Sequence, residues 1–122
     1  MEKNMKIPLL YGFYKEMLTE KQADCIEYYY DEDLSLGEIS QNLGITRQGV
    51  RDNIKRGEKA LLNIENRLKL ADKFMKIKDK VAKIDEIIDE IQNDSNVNLL
   101  PNGIKVKINE ILTVILEINE NV

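Results

Sequence analysis

Nine residues between Ser35 and Lys59 have the types and spacing to do chemistry: Ser35, Thr46, Arg47, Gln48, Arg51, Asp52, Lys55, Arg56 and Lys59. An arginine fork grips guanine bidentately, a glutamine amide does the same with adenine, and lysine brings charge to phosphates. From Arg47 onward the spacing fits two neighbouring rows on one side of a helix. Residues at the start of such a helix meet base edges, so Arg47, Gln48 and Arg51 are the base-reading candidates. Thr46, Lys55, Arg56 and Lys59 are placed to hold phosphates, and Ser35 and Asp52 complete the candidate nucleic-acid-binding set. The competing explanation is a merely solvated face, the usual fate of charges outside an amphipathic helix.

The elements that must position these residues decide between the two. Ser35 followed by Glu38 is a capping box opening a helix whose apolar face is Leu36, Ile39 and Leu43. Gly44 ends it, because glycine enters the left-handed region without a Cβ penalty. Ile45 plugs the angle, Thr46 caps the next helix, and Val50 and Ile54 form the inner stripe of that helix. Caps, turn glycine and stripe coincide at helix-turn-helix spacing, which favours nucleic-acid contact.

Catalysis finds no equivalent constellation. The chain has no histidine and no glycine-rich phosphate loop, and Cys25 lies on an apolar helix face without a basic neighbour to activate it. The pairs Asp85/Asp89 and Glu86/Glu90 sit one turn apart beside lysines and read as solubility. One cysteine permits no internal disulfide, and no paired Cys or His spacing holds zinc. The acidic run Asp31-Glu32-Asp33 has too few converging ligands for calcium. A non-enzyme without cofactor or metal is expected, and with neither a long apolar run nor a signal peptide it is expected to be cytoplasmic, with no membrane partner.

The 122 residues carry a formal net charge of −4. Residues 1–45 hold four Lys/Arg against nine Asp/Glu, residues 46–71 seven against three, and residues 72–122 seven against ten. Only the middle block is positive, a basic patch on an acidic body, so non-specific binding should be weak and salt-sensitive.

Around the motif, residues 5–18 place Ile7, Leu10, Tyr11, Tyr14, Met17 and Leu18 on one helical face, with Pro8 in the first turn. Thr19 and Gln22 form a second capping box, opening a helix to about Tyr30 with Cys25, Ile26 and Tyr29 inward. Three successive tyrosines cannot all face in, so at least one phenol is expected at the boundary with a wet hydroxyl.

The stripe of the basic helix continues through Gly57, Leu61, Ile64 and Leu68. A second stripe follows: Leu70, Phe74, Ile77, Val81, Ile84, Ile88 and Ile91. The two are half a turn out of phase, which predicts a break between Asn66 and Asp72. Residues 93–103 form a linker with a proline and a glycine. Residues 104–118 form a last helix with Ile108, Ile111 and Ile115 in its stripe.

The architecture expected is all-α. A helix-turn-helix domain occupies 1–66, and 67–122 form a C-terminal helical extension folded as an antiparallel hairpin. The hairpin has more apolar surface than it can hide, and its strict heptad seam predicts a homodimer through Phe74, Ile77, Val81, Ile84, Ile88, Ile91, Ile108, Ile111 and Ile115; the rival reading is a monomer in which the hairpin folds back on the first three helices.

The run LTEKQADCIEYYYDEDLSLGEISQNLGITRQGVRDNIKRGEKALL, residues 18–62, resembles region 4 of bacterial sigma-70 factors, which reads promoter DNA. With the preceding LLYGFYKEML, residues 7–70 resemble the small YlxM family. That resemblance implies an all-helical cytoplasmic protein associated with the signal recognition particle pathway, a regulator that binds the particle's RNA. The residues themselves leave DNA or RNA open, and the acidic total charge favours the alternative of an adaptor that uses the same scaffold on a protein component of the particle. The family's core pattern falls on Leu36, Ile39, Arg47, Gln48, Val50, Asp52, Asn53, Ile54, Lys55 and Arg56. Ser40 and Gly57 depart from it, standing where an alanine and a larger residue are expected, and Gly57 should loosen the helix beyond the basic face.

Overall fold

The computed structural model describes residues 1–120, so the last two residues of the 67–122 extension lie outside it. Within that range it is all-helical, and it divides into two compact units, Met1–Lys73 and Phe74–Val122.

The first unit opens with α1, Ile7–Tyr14, with proline in its first turn and Ile7, Leu10 and Tyr14 buried. The helix stops sooner than its periodicity indicates. Residues 15–17 tighten into a 3-10 turn closed by the Leu18 amide donating to Lys15 O, and Met17 swings out to 61% exposure instead of joining the inner face. Helix α2, Glu20–Ile26, starts at the reciprocal Thr19–Gln22 capping box and buries Ala23, Cys25 and Ile26.

The chain then widens into a single π turn, Glu27–Asp31, closed by the Glu32 amide on Glu27 O. The turn buries Tyr29 and half-buries Tyr28 and Tyr30. Two of these phenols are engaged in hydrogen bonds, which leaves Tyr28 as the one at the boundary. Tyr29 donates to Met1 O at 2.9 Å; Tyr30 donates to Glu58 at 2.5 Å and accepts the Asn4 amide at 3.0 Å. Burial, then the bond to Glu58, pushes the Tyr30 hydroxyl up to about 12. With the Lys3–Asp33 ion pair, these bonds tie down the N-terminal residues.

Helix α3, Leu36–Leu43, and helix α4, Arg47–Leu68, follow. Ile39, Val50, Ile54 and Leu61 are fully buried with Ile7, Ile26 and Cys25, so α4 is the spine on which α1, α2 and α3 pack. Gly57 does not interrupt it. The helix is unbroken there, and a Cβ on Gly57 would stand 3.0 Å from Ile26 Cγ1, so the glycine marks a close approach of α2.

The break predicted between 66 and 72 falls at Lys69, a non-glycine residue at φ 56° that ends α4 before α5, Leu70–Gln92, begins. One carboxylate makes this corner. Glu65 accepts the Ala71 and Asp72 amides at 3.0 Å each and the Tyr14 hydroxyl at 2.5 Å, while Tyr14 Oη accepts the Leu70 amide at 3.2 Å. Three orphan donors at the start of α5 are thus satisfied, and Ala71 is buried in the first unit's core.

Burial opposes ionisation of Glu65, but the bonds from Tyr14, Ala71 and Asp72 outweigh it and hold its carboxyl below the usual range. A lowered folded-state pKa means that its stabilisation is complete above the unfolded carboxylate range and is lost as pH falls through the folded value. Glu65→Gln should therefore cost about 1–2 kcal/mol at pH 7. Urea denaturation at pH 7 and pH 3 should show the gap between variant and parent closing in acid.

The second unit holds the rest of α5 and α6, Asn102–Glu120, joined through a 3-10 turn at Val97–Leu99. Ile91 lies with Val97 and Leu100 near the loop, and Val81 and Ile84 line a groove with Ile111, Val114, Ile115 and Ile118, so the helices run antiparallel. Helix α6 starts inside the stretch expected as linker, directly after Pro101, whose carbonyl accepts the Ile104 and Lys105 amides. Proline preceding a helix satisfies this start well.

Candidate nucleic-acid interface

The angle between α3 and α4 is set by backbone chemistry that the motif residues provide. Ser35 Oγ accepts the Glu38 amide and Glu38 Oε1 accepts the Ser35 amide, both at 3.1 Å. Gly44 sits at φ 66°, and Ser40, the residue standing in place of the expected alanine, donates its hydroxyl to Ile45 O at 2.5 Å across the turn. Thr46 Oγ1 accepts the Gly49 amide at 2.9 Å. The Ser35 and Thr46 oxygens are therefore occupied as caps.

Beyond the caps, Arg47, Gln48, Arg51, Asp52, Lys55, Arg56 and Lys59 are all exposed. They do not behave alike. The Arg47 guanidinium lies back across α3, 3.1–3.3 Å from where a Gly37 Cβ would stand. Gln48 Nε2 donates to Asp52 Oδ1 at 3.0 Å, one helical turn on, so these two form a fixed pair. Asn53 donates to Gly49 O at 2.8 Å and is committed to the helix itself. Among the described residues, Arg47, Arg51, Lys55, Arg56 and Lys59 have no carboxylate partner within ion-pair distance.

The remaining acidic residues of α4 explain why. Glu58 and Glu65 turn to Tyr30 and Tyr14, leaving Asp52 as the carboxylate on the outer face. The result is a row of uncompensated cations on one side of a helix, beginning at the open end of the turn.

Residues 1–99 match a family described as "Putative helix-turn-helix protein, YlxM / p13 like". The chain belongs to this family. Relatives named UPF0122 proteins include one from Clostridium acetobutylicum, 39% identical over 79% of this chain and 97% of its own. One from Limosilactobacillus reuteri is 40% identical over 86% and 94%, and one from Desulforamulus reducens 43% identical over 73% and 76%. The family match runs past the first unit and into the second.

The contributions of Gly37, Ser40, Glu58 and Glu65 were not picked out from sequence. Only Ser40 left a signal, as a residue standing where an alanine is expected. The other three depend on partners distant in the chain. No group of three or more metal-ligating side chains occurs among the described residues, and no described helix is long and apolar enough to cross a membrane.

Proposed function

We propose that the chain is a nucleic-acid-binding regulator of the signal recognition particle pathway that presents the outer face of α4 to its target. The observation that carries the binding is the unpaired row Arg51, Lys55, Arg56 and Lys59, beside the fixed Gln48–Asp52 pair and capped by Thr46. Cations without internal partners bind phosphates with no internal ion pair to break, and release counterions as they do. Arg51 and the Gln48 amide are the base-edge groups nearest the helix start. Arg47 contributes charge from the α3 side, over Gly37. The link to the particle rests on the YlxM resemblance alone. The deep, narrow major groove of A-form RNA does not admit this helix, so an RNA target is met on backbone, loops or distorted stems.

The test is a fluorescence-anisotropy titration of the full chain against signal recognition particle RNA and a random duplex DNA pool at several salt concentrations. Submicromolar, competitor-resistant binding with a log–log salt slope of about −3 to −4, as for four phosphate contacts, is the expected outcome. No binding at low salt, or a flat slope, overturns it in favour of an adaptor that uses the same face on a protein.

The second unit supports a homodimer as the form that binds. In one copy only Val81, Ile88 and Ile115 of the heptad seam are buried, and Phe74, Ile91 and Ile108 are half-buried. Ile77 at 58%, Ile84 at 46% and Ile111 at 43% stay exposed. A second copy offers the same seam and covers them by the same packing. Light scattering should give twice the 14.1 kDa chain mass at micromolar concentration, and Ile84→Asp with Ile111→Asp should return it to one. Monomer mass for the unmodified chain removes the dimer from the reading.

A further inference from the structure

The acidic half of the first unit has an order of its own. Glu20, Asp24, Glu27 and Asp31 recur at steps of four, three and four along α2 and the π turn, which sets them on one side of that element. Among the described residues none has an ion-pair partner. Where the row ends, Glu27 and Asp31 line a pocket of about 240 Å³ together with Pro8, Tyr11, Ile26 and Tyr30. The π turn brings its first and last residues, the two carboxylates, to the same mouth.

The walls are fixed. Tyr30 is pinned through its hydroxyl to Glu58 and the Asn4 amide, and Ile26 is fully buried. The half-buried Tyr11 ring is packed against the core of the first unit. Aromatic faces attract cations through the ring quadrupole, and carboxylates add charge-assisted hydrogen bonds. The Tyr11 ring already has an ammonium group of this chain beside it: Lys15 Nζ stands 5.6 Å from its centroid, whereas Lys3 near Tyr30 is held by Asp33. The volume falls below the roughly 300 Å³ at which small-molecule clefts begin and suits one side-chain head.

The geometry points to a receiving site for a basic side chain, arginine before lysine, on a partner protein whose basic segment runs along the Glu20–Asp31 row. A guanidinium is planar, stacks on tyrosine and meets two carboxylates at once, which an ammonium does less well. This site is distinct from the α4 face and does not depend on nucleic-acid binding.

The experiment is a ¹H–¹⁵N NMR titration of the full chain with acetyl-Gly-Arg-Gly-amide and with its citrulline counterpart, the neutral isostere. The arginine peptide should shift the amides of Tyr11, Glu27, Tyr30 and Asp31 saturably, with citrulline at least about tenfold weaker. Glu27→Gln with Asp31→Asn should lose about tenfold of the arginine affinity and leave nucleic-acid titrations unchanged. Equal response to both peptides, no saturable shift, or shifts centred on α4 overturns the assignment. Should the double variant not fold, the citrulline comparison on the unmodified chain decides alone.

Discussion

Replacing Arg51 and Lys55 together by glutamate is expected to weaken nucleic-acid binding by at least about a hundredfold at near-physiological salt and to flatten the salt slope by about two. Both side chains are exposed, neither has an ion-pair partner, and neither hydrogen-bonds to another residue among those described. Stability should therefore stay within about 0.5 kcal/mol of the parent, as for ordinary surface changes. That separation makes the pair more informative than Arg47, whose reversal would also remove a guanidinium packed over Gly37. Gln48→Ala should act differently. It breaks the bond to Asp52 and removes a base-reading amide, so it should cut discrimination between sequences and leave the salt slope almost unchanged. Anisotropy at three salt concentrations, with circular dichroism to confirm folding, checks both variants. Unchanged affinity and slope in Arg51→Glu/Lys55→Glu would mean that the outer face of α4 does not carry the contact.

What could be read from the chain alone was chemistry that acts within a few residues. Ser35 with Glu38, Thr19 with Gln22 and Gly44 in the turn are choices whose partners lie three to five positions away, and each is found as its spacing indicates. The end of α4 was legible as a phase slip between two stripes. Its cause was not, because the carboxylate that makes the corner bonds to Tyr14, 51 residues earlier. The same holds for the phenols of Tyr29 and Tyr30, whose partners are Met1, Asn4 and Glu58. Met17 fits the helical period as well as Leu18 does, and only the tightened turn after α1 sends it outward. The outer face of α4 was readable as charge, yet its division into a fixed pair, a folded-back arginine and free cations depends on α3 and on which carboxylates other elements claim. In the second unit the heptad period is plain in the sequence, and a single copy still leaves much of it uncovered.

Gly57→Leu should be among the most damaging single substitutions in the first unit, costing about 3 kcal/mol. Glycine inside a helix gives up about 1 kcal/mol against alanine, so its presence in the middle of a 22-residue helix needs a compensating contact. The contact is with α2. A Cβ at this position would lie 3.0 Å from Ile26 Cγ1, 3.3 Å from Ile26 Cδ1 and 3.6 Å from Gln22 Cβ. Ile26 is fully buried and branched at Cβ, with no free rotamer to turn into. Alanine therefore gains helix propensity and loses packing, two effects of about 1 kcal/mol that oppose each other. Leucine adds three more carbons with nowhere to go, and the unit must separate α2 from α4 or unfold. The proof that this is steric lies in a double-mutant cycle. Ile26→Ala alone should cost about 2–5 kcal/mol by leaving a cavity. In the presence of Gly57→Leu that cavity becomes the space the leucine requires, so the double variant should be more stable than the sum of the two losses by at least about 1 kcal/mol. Urea unfolding of the four proteins measures the coupling. Strict additivity would mean that the α2–α4 contact is not what selects glycine, and that the helix tolerates it for some reason on its exposed side.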